Sequence, residues 1–199
     1  MKKIVLLLFV LSMMTAASFA QESRQDVSVS GSAFFSPTKI GNAINQSSTT
    51  GYGGLASYRF MLTPHSALEA NYQYLQKRDH YVSSFNDFFV HERVQEYSAG
   101  YVYNFSYKNF NPFLEGGGGG YFFRPILDSG TTTLSSKGVT DIGAYYGGGI
   151  AYEISPSFDI RAEYRGILVK TPNLTGVSAF SVNRFYNISN PVIGVAYHF

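Results

Sequence analysis

The segment "FDIRAEYRGIL", residues 158–168, alternates charged and apolar side chains at every second position. One parity carries Asp159, Arg161, Glu163 and Arg165; the other carries Phe158, Ile160, Ala162, Tyr164 and Leu168. A period of two is typical of a β-strand, because successive side chains of a strand point to opposite faces. The pattern therefore predicts a strand with one charged face and one apolar face, and it leaves open which face meets water.

Similar alternation recurs along the chain in stretches of about ten residues. The stretches are 25–35, 51–61, 67–76, 94–105, 112–123, 140–153, 158–168 and 185–199. Ten residues at ~3.3 Å each, tilted by about 45°, cover roughly 25 Å, the height of an outer-membrane hydrocarbon band. Eight strands also make the smallest common barrel, whose inward side chains fill the lumen. We expect an all-β fold, an eight-stranded antiparallel transmembrane β-barrel with up-and-down meander topology.

The composition favours a surface that contacts lipid. Charged residues make up 14% of the chain, against about 25% in ordinary soluble domains. The chain has 16 Tyr and 17 Phe. Beyond the first twenty residues no apolar run is long enough for a spanning helix, and only helices and closed barrels satisfy every backbone group in a bilayer.

The first twenty residues have the pattern of a secretory signal peptide. Lys2 and Lys3 precede the apolar run "IVLLLFVLSMM", and a small-residue cleavage pattern ends at Ala20. We predict a signal peptide over 1–20 and an outer-membrane β-barrel domain over 21–199. Removing Lys2 and Lys3 leaves 13 basic and 13 acidic residues, so nucleic-acid binding has no electrostatic support. The absence of cysteine excludes a disulfide scaffold.

The connections between the predicted strands alternate in length. The long ones are 36–50, 76–93, 124–138 and 169–183, and the short ones are "MLTPHS", "SYKNFN" and "EISPS". Outer-membrane barrels have short periplasmic turns and long extracellular loops. The pattern predicts four long extracellular loops.

The polar parity mixes charges with glycine, which suits a crowded lumen better than a solvated face. A turn centred on Pro64 places Arg59 opposite Glu69, and a turn centred on Pro156 places Glu153 opposite Asp159 and Ala151 opposite Arg161. Buried ions need partners, since desolvation costs several kcal/mol each. We predict a lumen charge network that plugs the barrel, formed by Arg59, Glu69, Glu115, Glu153, Asp159, Arg161, Glu163 and Arg165. The glycines of 116–120 are interpreted as room for sharp bending and for bulky side chains opposite, not as a phosphate-binding loop.

The carboxy-terminal segment "NPVIGVAYHF" places Ile193, Val195, Tyr197 and Phe199 on one parity. It resembles the last strand of small eight-stranded outer-membrane barrels of the OmpA-like transmembrane-domain, OmpX or opacity-protein type. The resemblance implies that these four residues are read by the barrel assembly machinery. It also implies a monomer in the bacterial outer membrane, in contact with lipid and lipopolysaccharide and without a cofactor. No peptidoglycan-binding domain follows the strand, so wall anchoring is not implied.

The expected function is a structural or surface-interaction role carried by the outer loops. Adhesion to host or matrix surfaces through the second loop, which holds Phe85, Phe88 and Phe89, is a hypothesis that rests on exposed aromatics beside charges. The other interpretation of Phe88 and Phe89 is that they extend the hairpin or belong to the outer aromatic girdle. The alternative is a narrow porin-like channel for ions or small solutes. A soluble lipocalin-type barrel is a third interpretation, and it requires the tyrosine-rich face to point inward.

Enzymatic function has little support. The histidines His65, His80, His91 and His198 are scattered and lack metal-ligand spacing. No Ser, His and acid fall together on one outward face, as nucleophilic catalysis requires.

Overall fold

The computed structural model describes residues 24–40, 44–48, 50–83, 87–126, 138–170 and 185–199. The strands are β1 (Gln25–Phe34), β2 (Lys39–Ile40), β3 (Ile44–Ser48), β4 (Gly51–Thr63), β5 (Ser66–Ser83), β6 (Asp87–Asn104), β7 (Phe110–Ile126), β8 (Val139–Ser155), β9 (Phe158–Lys170) and β10 (Phe185–His198). The predicted signal peptide, 1–20, lies outside the described residues and stays a prediction. Within the described ranges, no helix has the length and apolar character needed to cross a bilayer.

Eight strands, β1 and β4 to β10, close into an antiparallel barrel. Each pairs with the next along the chain, and β10 returns to pair with β1. The remaining pairs from β6 to β10 follow the same order. The predicted eight-stranded up-and-down meander is confirmed.

Short turns set the register at one end of the barrel, which we call the turn end. Pro64 and His65 connect β4 to β5, and Arg59 lies opposite Glu69 as predicted. Glu153 lies opposite Asp159 and Ala151 opposite Arg161, also as predicted. Tight turns fix pairing locally, because the register of a hairpin follows from its loop length.

The polar parity points inward and the apolar parity points outward. Outward side chains such as Tyr97 and Ile193 are 54% and 64% exposed, whereas Arg165 on the inward parity has no exposed surface. A soluble barrel with the tyrosine-rich face inside is therefore wrong. The outward face matches hydrocarbon, and the closed ladder leaves no sheet edge in it.

The opposite end, the loop end, differs from the expected run of long polar loops. The second connection, predicted as a loop over 76–93, is instead a β-hairpin: β5 runs to Ser83, β6 starts at Asp87, and pairing reaches Val82↔Asp87. In the first connection β2 pairs with β3, and β3 adds to the upper part of β5. The third and fourth predicted loops lie largely outside the described residues.

The seam between β1 and β10 contains a proline. Pairing runs from Asp26↔His198 to Ser32↔Val192 and then stops at Pro191. It resumes as a bridge between Phe35 and Ser189, whose two backbone hydrogen bonds measure 2.8 and 3.0 Å. Proline has no N–H to donate, so the seam is interrupted there.

The lumen is filled in layers. An apolar floor of Ala67, Val102, Phe113 and Ala151 lies nearest the turn end. A charged layer follows, and above it lies an apolar layer of Phe34, Leu75, Val94, Tyr121, Phe123, Tyr145, Ile167, Val169, Tyr186 and Ile188. A second charged cluster lies above Leu75 along β5. These layers position the buried charged groups described below.

Candidate functional site: the filled lumen and the loop-end rim

Arg59 on β4 lies at the centre of the lower charged layer. Its Nε donates to Glu69 Oε2, and its Nη2 lies 3.5 Å from Glu115 Oε2 and 3.7 Å from Glu163 Oε2. Its Cζ is 4.4 Å from the centroid of the Phe113 ring. Because a buried ion is stabilised only by close partners, this arrangement ties β4 to β5, β7 and β9.

Arg165 on β9 extends the same layer. Its Nη2 donates to Glu96 Oε1 at 2.9 Å, and its Nε lies 3.3 Å from Glu115 Oε1. Its Cζ lies 4.4 Å from the Tyr145 ring centroid, a cation–π contact. Glu115 therefore lies between Arg59 and Arg165 and joins them into one network.

Arg161 forms a separate pair nearer the turn end. Its two terminal nitrogens donate to the two oxygens of Asp26 at 2.8 and 2.9 Å, the bidentate geometry that suits a guanidinium. Asp159 lies 3.9 Å from Arg161 Nη2, and His198 Nε2 lies 2.7 Å from Asp159 Oδ2. These contacts join β9 to β1 across β10.

The structure brings together most of the predicted lumen residues. Seven of them form ion pairs in the lumen, Glu163 half-buried and the other six buried: Arg59, Glu69, Glu115, Asp159, Arg161, Glu163 and Arg165. Glu153 is half-buried near the turn end, and it has no ion pair within the described ranges. Sequence analysis missed Asp26 and Glu96. Asp26 alternates along β1 with Ser28, Ser30 and Ser32, and this polar parity could have indicated that Asp26 points into the lumen.

The inward side chain of Tyr145 packs against glycines of the facing strands β6 and β7. Its ring and hydroxyl occupy the space where Gly100 and Gly117 would otherwise carry a Cβ. Its hydroxyl accepts a 3.2 Å hydrogen bond from Asn71 Nδ2. At Gly117 this supports the interpretation of the glycines as room for bulky inward side chains, and backbone atoms of Ala99 and Gly100 approach the same space, at 2.3 and 2.6 Å from an added Cβ.

The upper charged cluster is centred on Lys77. Its Nζ lies 2.9 Å from Asp79 Oδ2 and 2.8 Å from Glu92 Oε2, and all three side chains are wholly buried. Sequence analysis assigned Lys77 and Asp79 to a loop and so missed the cluster. The cluster could have been predicted from the alternation of β5, because the inward parity continues through Leu75, Lys77 and Asp79.

Outward tyrosines mark the upper limit of the apolar band. Gln76 and Gln95 donate to the hydroxyls of Tyr74 and Tyr72 at 2.9 and 3.1 Å, and Asn187 donates to the hydroxyl of Tyr146 at 3.1 Å. Tyrosines with an apolar body and a hydrogen-bonded tip are typical of an interfacial girdle. The band therefore ends near Gln76 on β5, and the hairpin beyond it extends past the bilayer by about 20 Å of strand.

The outer face of that hairpin carries a stack of three side chains. The rings of His80 and Phe89 lie 4.2 Å apart and nearly parallel, and Arg78 Cζ lies 4.9 Å from the Phe89 centroid. Phe89 is 52% exposed. Phe88 belongs to β6, and Phe85 lies outside the described residues.

The four residues predicted as an assembly signal share the outward face of the last strand. Ile193, Val195, Tyr197 and Phe199 are all exposed. The ring of Tyr197 stacks on that of Phe199, with centroids 6.0 Å apart. The backbone N–H of Phe199 donates to Gln25 O at 2.9 Å, which fixes this end of the strand to β1.

The histidines occupy unrelated positions. His65 Nδ1 lies 3.1 Å from Asn104 O in a short turn, His80 stacks on Phe89, and His198 pairs with Asp159. Over the part of the chain that the structure describes, no three His, Asp or Glu side chains converge as a metal site.

Fold and sequence together define a bacterial outer-membrane protein. The family model of the outer membrane protein beta-barrel domain matches residues 5–199, and the chain belongs to this family. The chain therefore lies in the bacterial outer membrane, as predicted.

Two solved structures are similar in fold. Neisserial surface protein A is 17% identical, with a TM-score of 0.63 over 89% of this chain and 98% of that chain. OprG from Pseudomonas aeruginosa is 13% identical, with a TM-score of 0.59 over 90% of this chain and 98% of that chain. None of the curated proteins matches the sequence.

Proposed function

We propose that this protein is a closed, non-conducting barrel that presents an interaction surface outside the cell. The observation that carries the proposal is the complete burial of Arg165 and of the Lys77 side chain, one below and one above the apolar layer. A water-filled channel would leave charged lumen side chains accessible to solvent. The charged clusters thus act as a structural brace and, together with the apolar layer between them, as a plug, with no catalytic activity and no cofactor.

The interaction surface is assigned to the hairpin of β5 and β6 beyond Gln76. The stack of Arg78, Phe89 and His80 supports this assignment, because exposed aromatics beside arginine are enriched where proteins bind partners. The proposed partner is a ligand on host or matrix surfaces.

Adhesion of bacteria expressing the protein to matrix-coated surfaces tests the assignment. Phe89→Ser should reduce adhesion severalfold. Phe185→Ser is the matched control, since Phe185 is also a loop-end phenylalanine and is 73% exposed. Equal adhesion of Phe89→Ser and wild type, or of wild type and cells lacking the protein, would reject the adhesive role.

A narrow channel is the second candidate. One side of the lumen carries the small polar side chains Ser28, Ser32 and Ser57, each with slight solvent exposure. Planar-bilayer recordings separate the two candidates. The closed barrel should give no steps above the lipid baseline, whereas reproducible single-channel steps from the wild type would establish the channel.

Assembly and oligomeric state complete the proposal. The outward Ile193, Val195, Tyr197 and Phe199 are proposed as the signal for the barrel assembly machinery. A monomer is proposed because, among the described residues, the eight barrel strands leave no free edge in the lipid-facing band to pair with a second copy. Sedimentation in detergent should give the mass of one chain.

A further inference from the structure

Arg93 and Arg124 lie directly opposite each other on the outward face at the loop end. They are cross-strand partners in the pairing of β6 with β7. Arg93 is half-buried and Arg124 is exposed. Like charges in direct opposition destabilise a sheet, so this pair requires an explanation.

Among the residues that the structure describes, no carboxylate pairs with either arginine. Within the described ranges neither arginine has an ion pair, and Arg93 Nε is buried without a hydrogen-bond partner. The cross-strand neighbour of Arg93 on β5 is the neutral Gln76. Gly138 packs beside Arg124, where an added Cβ would approach Arg124 Cγ to 3.1 Å. Two guanidinium groups thus face outward side by side, and the buried Nε of Arg93 has no hydrogen-bond partner.

The position of the pair identifies the missing anion. Directly below Arg124 on the same face is Phe122, whose ring meets that of Tyr97 edge-on at 5.7 Å between centroids. These aromatics belong to the apolar band, and Gln76 marks its upper limit. The two arginines therefore lie at the depth of the outer-leaflet headgroups, just above the acyl chains.

We propose that Arg93 and Arg124 together bind a phosphate group of an outer-leaflet glycolipid, with its acyl chains against Phe122 and Tyr97. Guanidinium groups match phosphate oxygens bidentately, and one bridging dianion turns the repulsion between the arginines into attraction. The inference goes beyond the proposed function, because it assigns a lipid site on the barrel wall and does not depend on adhesion.

Native mass spectrometry of the purified barrel in neutral detergent tests the proposal, with phosphorylated lipid A and dephosphorylated lipid A as probes. The wild type should retain the phosphorylated form and lose the dephosphorylated one. Arg93→Gln/Arg124→Gln should weaken retention by about tenfold or more, since charge-assisted hydrogen bonds are lost. Arg93→Lys/Arg124→Lys should give an intermediate value. The heat-dependent gel shift of each variant confirms that it is folded.

Lys170→Gln is the matched control, because it removes one exposed positive charge at the same end of the barrel on β9. It should leave retention within about twofold of wild type. Equal loss in Lys170→Gln would overturn the site in favour of general charge attraction. Equal retention of both lipid forms, or an unaffected double glutamine variant, would also overturn it. Displacement of the lipid by millimolar inorganic phosphate would show a small-anion site and reject the glycolipid.

Discussion

Arg165 Nη2 donates to Glu96 Oε1 at 2.9 Å across the lumen, between strands β9 and β6 that are not neighbours in the sheet. The pair therefore holds opposite walls of the barrel together. Because it is buried, removing either partner should lower the free energy of unfolding.

Arg165→Met should lower the free energy of unfolding by about 3–5 kcal/mol, because the buried carboxylates of Glu96 and Glu115 lose a shared cation. Urea unfolding of the barrel in detergent measures the change. Arg165→Met/Glu96→Leu should recover part of the loss. Lys170→Met, on the surface, should stay within about 0.5 kcal/mol of wild type, and the proposed brace fails if Arg165→Met behaves in the same way.

Gly166 and Tyr146 are cross-strand partners on the lipid-facing side. An added Cβ at Gly166 would lie 2.5–2.8 Å from ring and hydroxyl atoms of Tyr146, with no backbone atom among its nearest neighbours. Gly166→Ala should therefore cost about 1 kcal/mol or more by displacing the ring. In a Tyr146→Ala background the same substitution should be nearly neutral. A double-mutant cycle measures the coupling, and additive effects would show that the ring is not the obstacle.

The apolar layer should act as the barrier to ions. Phe123→Ser/Ile167→Ser replaces two fully buried side chains of this layer with small polar ones. Conductance steps should then appear in planar bilayers, because water can enter the enlarged polar gap. Phe122→Ser, one residue away on the lipid-facing parity, is the control and should remain silent. A silent double variant that is folded would place the barrier elsewhere.

Phe199→Ala should reduce the amount of heat-modifiable barrel in the outer-membrane fraction of cells while leaving refolding of the purified chain in detergent unchanged. The expected reason is loss of recognition during assembly, not loss of packing. Phe158→Ala is the control, since Phe158 is also an exposed ring at the turn end, in contact with Tyr197. Equal loss in both variants, or slower unaided refolding of Phe199→Ala, would assign Phe199 a packing role instead.

The strands, the faces and the turn-end register could be predicted from the sequence because each depends on local pattern. The period of two fixes which side chains share a face, and a tight turn at Pro64 fixes Arg59 opposite Glu69. The contact of Arg165 with Glu96 could not be predicted in this way. It depends on the stagger of strands around the closed barrel, which pairwise register does not reveal.

The loop bounds 76–93 were predicted wrongly for a related reason, although the interpretation that Phe88 and Phe89 extend the hairpin is confirmed. Apolar outward residues mark only the lipid-facing band, and directly above Gln76 both faces carry charged or polar residues, Lys77 to His80. That polarity was interpreted as a loop over 76–93. The ladder in fact continues, because Lys77 finds Glu92 directly opposite and the buried pair replaces hydrophobic contacts.

The seam between β1 and β10 makes the folding rate depend on bringing the two ends of the barrel sequence together. It joins the two barrel strands farthest apart in sequence, so the chain entropy lost on closure is the largest of any strand pair. Pro191 removes one donor from that same ladder. Until the seam forms, both edges expose unpaired backbone groups that can pair with other chains. The interval between export and closure is thus the period in which this protein is most prone to aggregate.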